Sequence, residues 1–344
     1  FHCHVLAHVT GDMRQGDMTP AEREAAVHHE EHNIEKAMAG LVIGITVPPG
    51  DETAAPDLEP HVRRRLTLRM HQKPARYGRH ASLGFSIFDH DGTPIPNTAP
   101  LLPGSPSIPP EENPSQTLVL TRGEPVTLTL VSDLSKDTQI HWHGIELESY
   151  NDGVPGWSGH LRQITPAIKP GTQYEVRFTP PRAGTFIYHT HAHDKEQLAS
   201  GLYGALVVLE PGQTFDPATE RIVLIGGAGP QSNAIEVNRS TNPAAMELKA
   251  GVTYRFRLIN ITPNFTATVS LRGDGGPVTW KPVAKDGAEL PPSQTKSRPA
   301  RQVISVGETY DFEYRPEAPG ELRLEVQRRS PEANLTSVVV RTIR

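Results

Sequence analysis

The sequence predicts an all-β protein assembled from repeated β-sandwich domains, and three observations lead there. Apolar and polar residues alternate with period two at 117–120, 125–131 and 173–178, the pattern of half-buried strands. The 33 prolines and 29 glycines among 344 residues punctuate the chain too often for a helical bundle and suit short strands joined by turns. A segment is also repeated. An aromatic residue precedes His-X-His, and a hydrophobic-X-Gly step then enters an apolar strand, in residues 1–4 with 38–43 and again in 188–191 with 202–207. Such self-similarity points to duplicated sandwiches.

The length allows two domains and part of a third. Residues 1–50 read as the C-terminal part of a domain whose remainder would lie upstream. They carry an insertion of helical composition at 19–36 and a β-branched final strand at 40–47. Residues 51–60 read as a linker, and 61–212 as one β domain with a proline-rich surface loop at 91–114. Residues 213–344 read as a second β unit, with strands at 221–225, 253–259 and 321–326. This unit contains no histidine, so it supplies no imidazole ligand. A net charge of −5, with Arg63-Arg64-Arg65 as the longest basic run, argues against a nucleic-acid partner. No apolar run approaches the roughly eighteen residues of a membrane span. Cys3 is the sole cysteine, so no intrachain disulfide forms. Phe1 opens directly onto a histidine motif. The expectation is that processing removed the front or that it lies outside this sequence, and an export signal is not visible.

Three His-X-His units concentrate the chemistry: His2-Cys3-His4, His141-Trp142-His143 and His189-Thr190-His191. On a strand, residues i and i+2 share a face, so each unit aims two imidazoles into one cavity. Imidazole suits copper, zinc, iron and nickel, so one pair says little. Three pairs, two of them at corresponding places of a repeat, point strongly to a metal centre. The first unit does more. Cys3 projects from the face opposite His2 and His4, where His8 can join it. A thiolate with imidazole and a distant thioether is the ligand set of a blue-copper electron-transfer site. Electrons can then pass from the Cys3 sulfur to His2 or His4 through a few covalent bonds.

These motifs resemble those of multicopper oxidases. Residues 1–8 are similar to the family's His-Cys-His-X3-His signature, 141–144 to its first copper motif, and 188–191 with 201–209 to its second. Residues 152–155 also resemble the family, and 255–260 with 306–311 are similar to its copper-free middle domain. The resemblance implies cupredoxin-like Greek-key β-sandwich domains and a copper enzyme with type 1, type 2 and paired type 3 sites, four ions per complete unit. It implies laccase-like activity, in which one-electron oxidation of phenols or aromatic amines is coupled to four-electron reduction of dioxygen to water. Its partners are then dioxygen and a small reducing substrate, in the periplasm or outside the cell. The alternatives are a cuprous or ferrous oxidase, a copper nitrite reductase, and a copper-free scaffold of the same fold.

By the same resemblance, Cys3 and His8 bind the type 1 copper, His2, His4, His143, His189 and His191 bind the type 3 pair, and His141 binds the type 2 copper. Asp152 matches an acidic residue that helps deliver protons. For the axial type 1 ligand, spacing from His8 selects Met13, whereas spacing from the final strand selects Met38. Met38 is preferred because the sheet frames the site, while an insertion such as 19–36 can grow outward without moving its ends. The family uses eight histidines at the trinuclear site and this sequence offers six. A His-X2-His-X-His segment is therefore expected upstream of Phe1 in the same natural chain, or from another chain, in an apparently permuted domain order.

Plainer readings compete. A lone cysteine is commonly an inert buried thiol, and an Asp-Gly pair such as Asp152-Gly153 is commonly just a turn. His193 reads as a supporting or solvated histidine. His28, His29 and His32 read as a solvated helix face beside Glu24, Glu30, Glu31 and Glu35 rather than an accessory copper site. Trp142 reads as a core residue.

Overall fold

The computed structural model describes residues 64–77, 80–95, 116–160, 163–229, 234–328 and 335–344. The expectations placed on His2, Cys3, His4, His8, Met13, Met38 and the stretch 19–36 lie outside the described residues, as does most of the loop 91–114.

The first part of the described chain carries ten strands: β1 (Arg64–Tyr77), β2 (His80–Asp89), β3 (Leu118–Thr121), β4 (Val126–Ser132), β5 (Ile140–His143), β6 (Gly159–His160), β7 (Gln163–Ile164), β8 (Gln173–Phe178), β9 (Gly184–Thr190) and β10 (Tyr203–Leu209). Two four-stranded sheets result, ordered β2-β1-β4-β8 and β3-β10-β9-β5. They pack face to face. Leu66, Leu68, Phe85, Leu128 and Val176 from one sheet meet Leu120, Ile140, Trp142, Phe186 and Tyr188 from the other in one buried core. The alternation seen in the sequence at β4 and β8 is the signature of this half-buried surface. The second part pairs a seven-stranded with a six-stranded sheet around its own core, which includes Phe256, Leu258, Trp280, Phe312 and Val326.

Strands β9 and β10 break the alternation, because every residue in them is buried. Phe186 and Tyr188 face the first core. The opposite face, with Ile187, Ala205 and Val207, packs on Ile222, Leu224 and Ile259 of the second sandwich. A strand covered on both sides reads as a continuous apolar run. The outward face of β9 thus passes from Thr185 through Ile187 to His189, from the inter-sandwich contact toward the histidines.

Buried ion pairs reinforce that contact. The Thr185 hydroxyl donates to Asp311 (2.8 Å) and accepts from Arg257 (2.7 Å), and Arg257 also pairs with Asp311 (2.9 Å) and Glu220 (2.5 Å). Arg239 pairs with Glu236 at 3.1 Å, donates to the Tyr203 hydroxyl at 2.9 Å and to the Ser200 carbonyl at 3.1 Å. Such pairs cost much to break, since removing one partner leaves a charge stranded in low dielectric.

Candidate metal centre

The antiparallel pairing of β5 with β9 places His141 opposite His189 and Trp142 opposite Tyr188. Trp142 and Tyr188 turn into the first core, both fully buried, as the sequence predicts for Trp142. The histidines gather on the other face. The ring of His141 lies 5.7 Å from His143, 5.4 Å from His189 and 5.4 Å from His191, centroid to centroid. His189 lies 5.6 Å from His143 and 6.0 Å from His191. One nitrogen each from His141, His143 and His189 falls within 4.8 Å of the others. His191 sits beside this trio, past the end of β9, where its N–H donates to the Gln139 carbonyl at 3.0 Å.

Hydrogen bonds orient two of the rings. His141 Nδ1 lies 2.8 Å from the Asp152 carbonyl, and His189 Nδ1 lies 2.6 Å from the Thr190 carbonyl. A carbonyl only accepts, so Nδ1 carries the proton in both rings and Nε2 keeps its lone pair. Burial, reinforced by the neighbouring His141, His143 and His191, holds the His189 imidazole well below its usual titration range. It is therefore neutral at neutral pH, the form that binds a metal.

The Asp152 loop is built to reach His141. A 3-10 turn at Ser149–Asn151 ends with the Asp152 N–H donating to the Ser149 carbonyl at 3.0 Å. Gly153 follows with φ +76°, and a Cβ there would lie 1.7 Å from the Ile140 carbonyl oxygen. Only glycine allows the loop to press so closely on β5. The Asp152 carboxylate consequently lies 3.1 Å from His141 Nδ1, with its side chain 29% exposed. It spans the distance between the buried ring and solvent.

Sequence reasoning missed Gln197, on the four-residue helix α1 (Asp194–Gln197). Its buried amide oxygen accepts from Thr138 (2.9 Å) and Thr190 (2.8 Å), and its amide nitrogen donates to the Asp137 carbonyl (2.8 Å). It fixes Thr190 between the two histidines of its unit. No local pattern distinguishes such a glutamine in sequence. His193 starts this helix with φ +52°, and its carbonyl accepts the N–H groups of Glu196 and Gln197.

The donor set fits copper. The candidate ligand atoms are close-set imidazole nitrogens, with the His141 and His189 rings buried, His143 partly buried and His189 held neutral, and nitrogen ligands of this kind suit copper among the first-row metals.

Comparison with known proteins points the same way. A family model described as multicopper oxidase matches residues 110–213. The "Copper resistance protein A homolog" of Pseudomonas syringae pv. tomato is 40% identical over 105 residues, which are 30% of this chain and 16% of that protein. "Laccase 1" of Metarhizium robertsii is 33% identical over 101 residues, 29% of this chain and 15% of that protein. Both relatives are thus matched over less than a fifth of their own length. A crystal structure of a multi-copper oxidase from Pseudomonas Thermotolerans superposes with a TM-score of 0.56 at 24% identity, over 81% of this chain and 63% of that one. The fold is the all-β, cupredoxin-like sandwich fold that the sequence predicts.

Proposed function

The chain belongs to the multicopper oxidase family, and on that premise we propose that it oxidises phenols or aromatic amines one electron at a time while dioxygen is reduced to water. The observation that carries this reading is the joint placement of His141, His143, His189 and His191, with Asp152 against His141. Bound copper would supply the one-electron redox chemistry and the place where dioxygen is reduced.

In this reading His141 holds the type 2 ion, and His143, His189 and His191 hold the type 3 pair together with His2 and His4. Cys3, His8 and Met38 would hold the type 1 ion, and the bonds joining Cys3 to His2 and His4 would be the covalent link between it and the histidine cluster. The protein's task at the cluster is orientation. The Asp152 and Thr190 carbonyls fix the His141 and His189 rings through Nδ1, so that Nε2 would be the nitrogen to bind a metal. Reduction of dioxygen also consumes protons. In this reading the partly exposed Asp152 carboxylate, 3.1 Å from His141 Nδ1, brings them in from solvent.

A second reading, oxidation of cuprous or ferrous ions, is favoured by the relative named as a copper resistance protein. The content of 5 methionines weighs against a cuprous specialist. A laccase-like donor preference agrees with the relative named as a laccase. Either reading goes with a periplasmic or secreted protein, and among the described residues no helix is long and apolar enough to cross a membrane.

Copper content by elemental analysis, with oxygen uptake on a phenol, a ferrous salt and a cuprous salt, tests the proposal. Bound copper with fastest uptake on the phenol is the expected result. Bound copper with uptake on the metal salts alone selects the second reading. A chain that binds no copper sinks both.

A further inference from the structure

His143 is the last residue of β5, and Gly144 with φ +85° turns the chain away at once. The sheet therefore supports His143 from one side, through its pairing opposite Ile187. The second sandwich, which contains no histidine, reaches this same spot twice.

The first contact is the turn at 305–308. Gly307, with φ +79°, donates its N–H to the Asn260 carbonyl at 2.8 Å, and the Asn260 N–H donates to the Glu308 carbonyl at 3.1 Å. Asn260 is fully buried and anchors itself on the carbonyls of Phe265 (3.1 Å) and Ile304 (3.0 Å), so the turn is rigidly held. A Cβ on Gly307 would lie 2.6 Å from Cε1 and 3.0 Å from Nε2 of His143. The turn's backbone thus lies directly against the imidazole, with no room for a methyl group between.

The second contact runs through Arg182. Its guanidinium donates to the Gly144 carbonyl at 2.6 Å and to the Asp286 carbonyl of the second sandwich at 3.0 Å, and it pairs with Glu146 at 2.8 Å. Gly287, the next residue, leaves room for this arrangement, since a Cβ there would lie 2.2 Å from the Phe186 ring and 2.6 Å from Arg182.

We propose that the second sandwich is a positioning device for His143: Gly307 limits where the ring can lie, and Asp286 acting through Arg182 fixes the Gly144 carbonyl behind it. A ligand set works only if every ring is held near its bonding position. The partners that hold a ligand typically matter to metal affinity about 10–100-fold. His141 and His189 are held from within the first sandwich, and His143 is held from the second. The motif at 306–311 is therefore part of the metal centre's frame even though it supplies no ligand. Gly307 and Arg182 are positioning residues. The inference rests on the reading of His143 as a ligand.

The test uses the full chain labelled with [15N]histidine, with ring signals recorded without metal and during titration with Zn(II) as a redox-silent probe. His143 signals are assigned from His143→Ala. In Gly307→Ala the metal-free His143 signals should move while those of His191 stay, and the Zn(II) midpoint should rise about 10-fold. Arg182→Met should move the same signals to a smaller extent, and it carries the test if Gly307→Ala does not fold. Asp311→Asn loosens the inter-sandwich contact without touching His143. It should lower the melting temperature and leave the His143 signals in place. Unmoved His143 signals in both Gly307→Ala and Arg182→Met, or equal movement in Asp311→Asn, overturn the proposal. A Zn(II) midpoint unchanged in His143→Ala overturns the reading beneath it instead.

Discussion

Gly153→Ala should do two separable kinds of damage, and the structure sets the size of each. With φ +76°, an alanine there takes a left-handed backbone at a cost of about 1–2 kcal/mol. The new Cβ would also lie 1.7 Å from the Ile140 oxygen, whereas real Cβ contacts essentially never fall below 3.0 Å. The loop must therefore retreat from β5 by roughly 1.3 Å. That retreat stretches the 2.8 Å contact between His141 Nδ1 and the Asp152 carbonyl to about 4 Å, beyond hydrogen-bonding reach. Losing it adds about 1 kcal/mol, for a total of about 2–3 kcal/mol and a fall in Tm of roughly 4–12 °C. Gly171→Ala is the matched control. Its φ is +71° and nothing lies within 4 Å of its Cβ, so only the backbone cost of about 1–2 kcal/mol applies. Calorimetry of the two variants, with copper affinity measured by chelator competition, separates the effects. Copper affinity should fall about 10-fold or more in Gly153→Ala alone. Equal Tm losses and equal copper affinities in the two variants would refute the close approach of the loop to His141.

Three further outcomes are expected. Asp152→Asn keeps the backbone acceptor for His141 and removes the proton carrier, so Tm should barely change while oxygen uptake falls about 100-fold; unchanged turnover at all pH values would remove Asp152 from the proton path. The His189 pKa is depressed on folding from its ordinary 6.5. The unfolded chain then binds the extra proton first, so stability is fully present above about pH 6.5 and declines as pH falls below it. In chemical denaturation of the metal-free chain, His189→Gln should flatten that decline, and an identical pH slope in the variant would show that the group titrates normally. Cys3→Ser should abolish intense blue absorption and stop electron entry while copper remains at the other histidines, and full phenol oxidation in that variant would refute the assignment of Cys3.

How much was legible in the sequence depended on how local each cause is. The two-residue alternation of His141-Trp142-His143 set both the shared face of the two histidines and the burial of Trp142, because a strand's geometry is set by its own backbone. Asp152 stood out through the family resemblance, while the Asp-Gly pair by itself signalled only a turn; that turn is what brings the carboxylate back onto His141. Gln197 and Gly307 were not legible as parts of the site. Gln197 acts through Thr138 and Thr190, which only the tertiary fold brings together. Gly307 lies 164 positions beyond His143 in the chain, in a unit set aside because it contains no histidine. The absence of histidine there rules out imidazole ligands from that unit, yet its Gly307 lies against the His143 ring. A metal centre needs nitrogen atoms, and those announce themselves in sequence. It also needs walls that hold the nitrogens still, and a wall made of glycine backbone has no side chain by which a sequence could reveal it. The glycine of the 306–311 motif is explained by this contact, and the motif's Thr309 and Asp311 by their contacts with Thr185. A motif typical of a copper-free domain is thereby accounted for by what it does to the domain beside it.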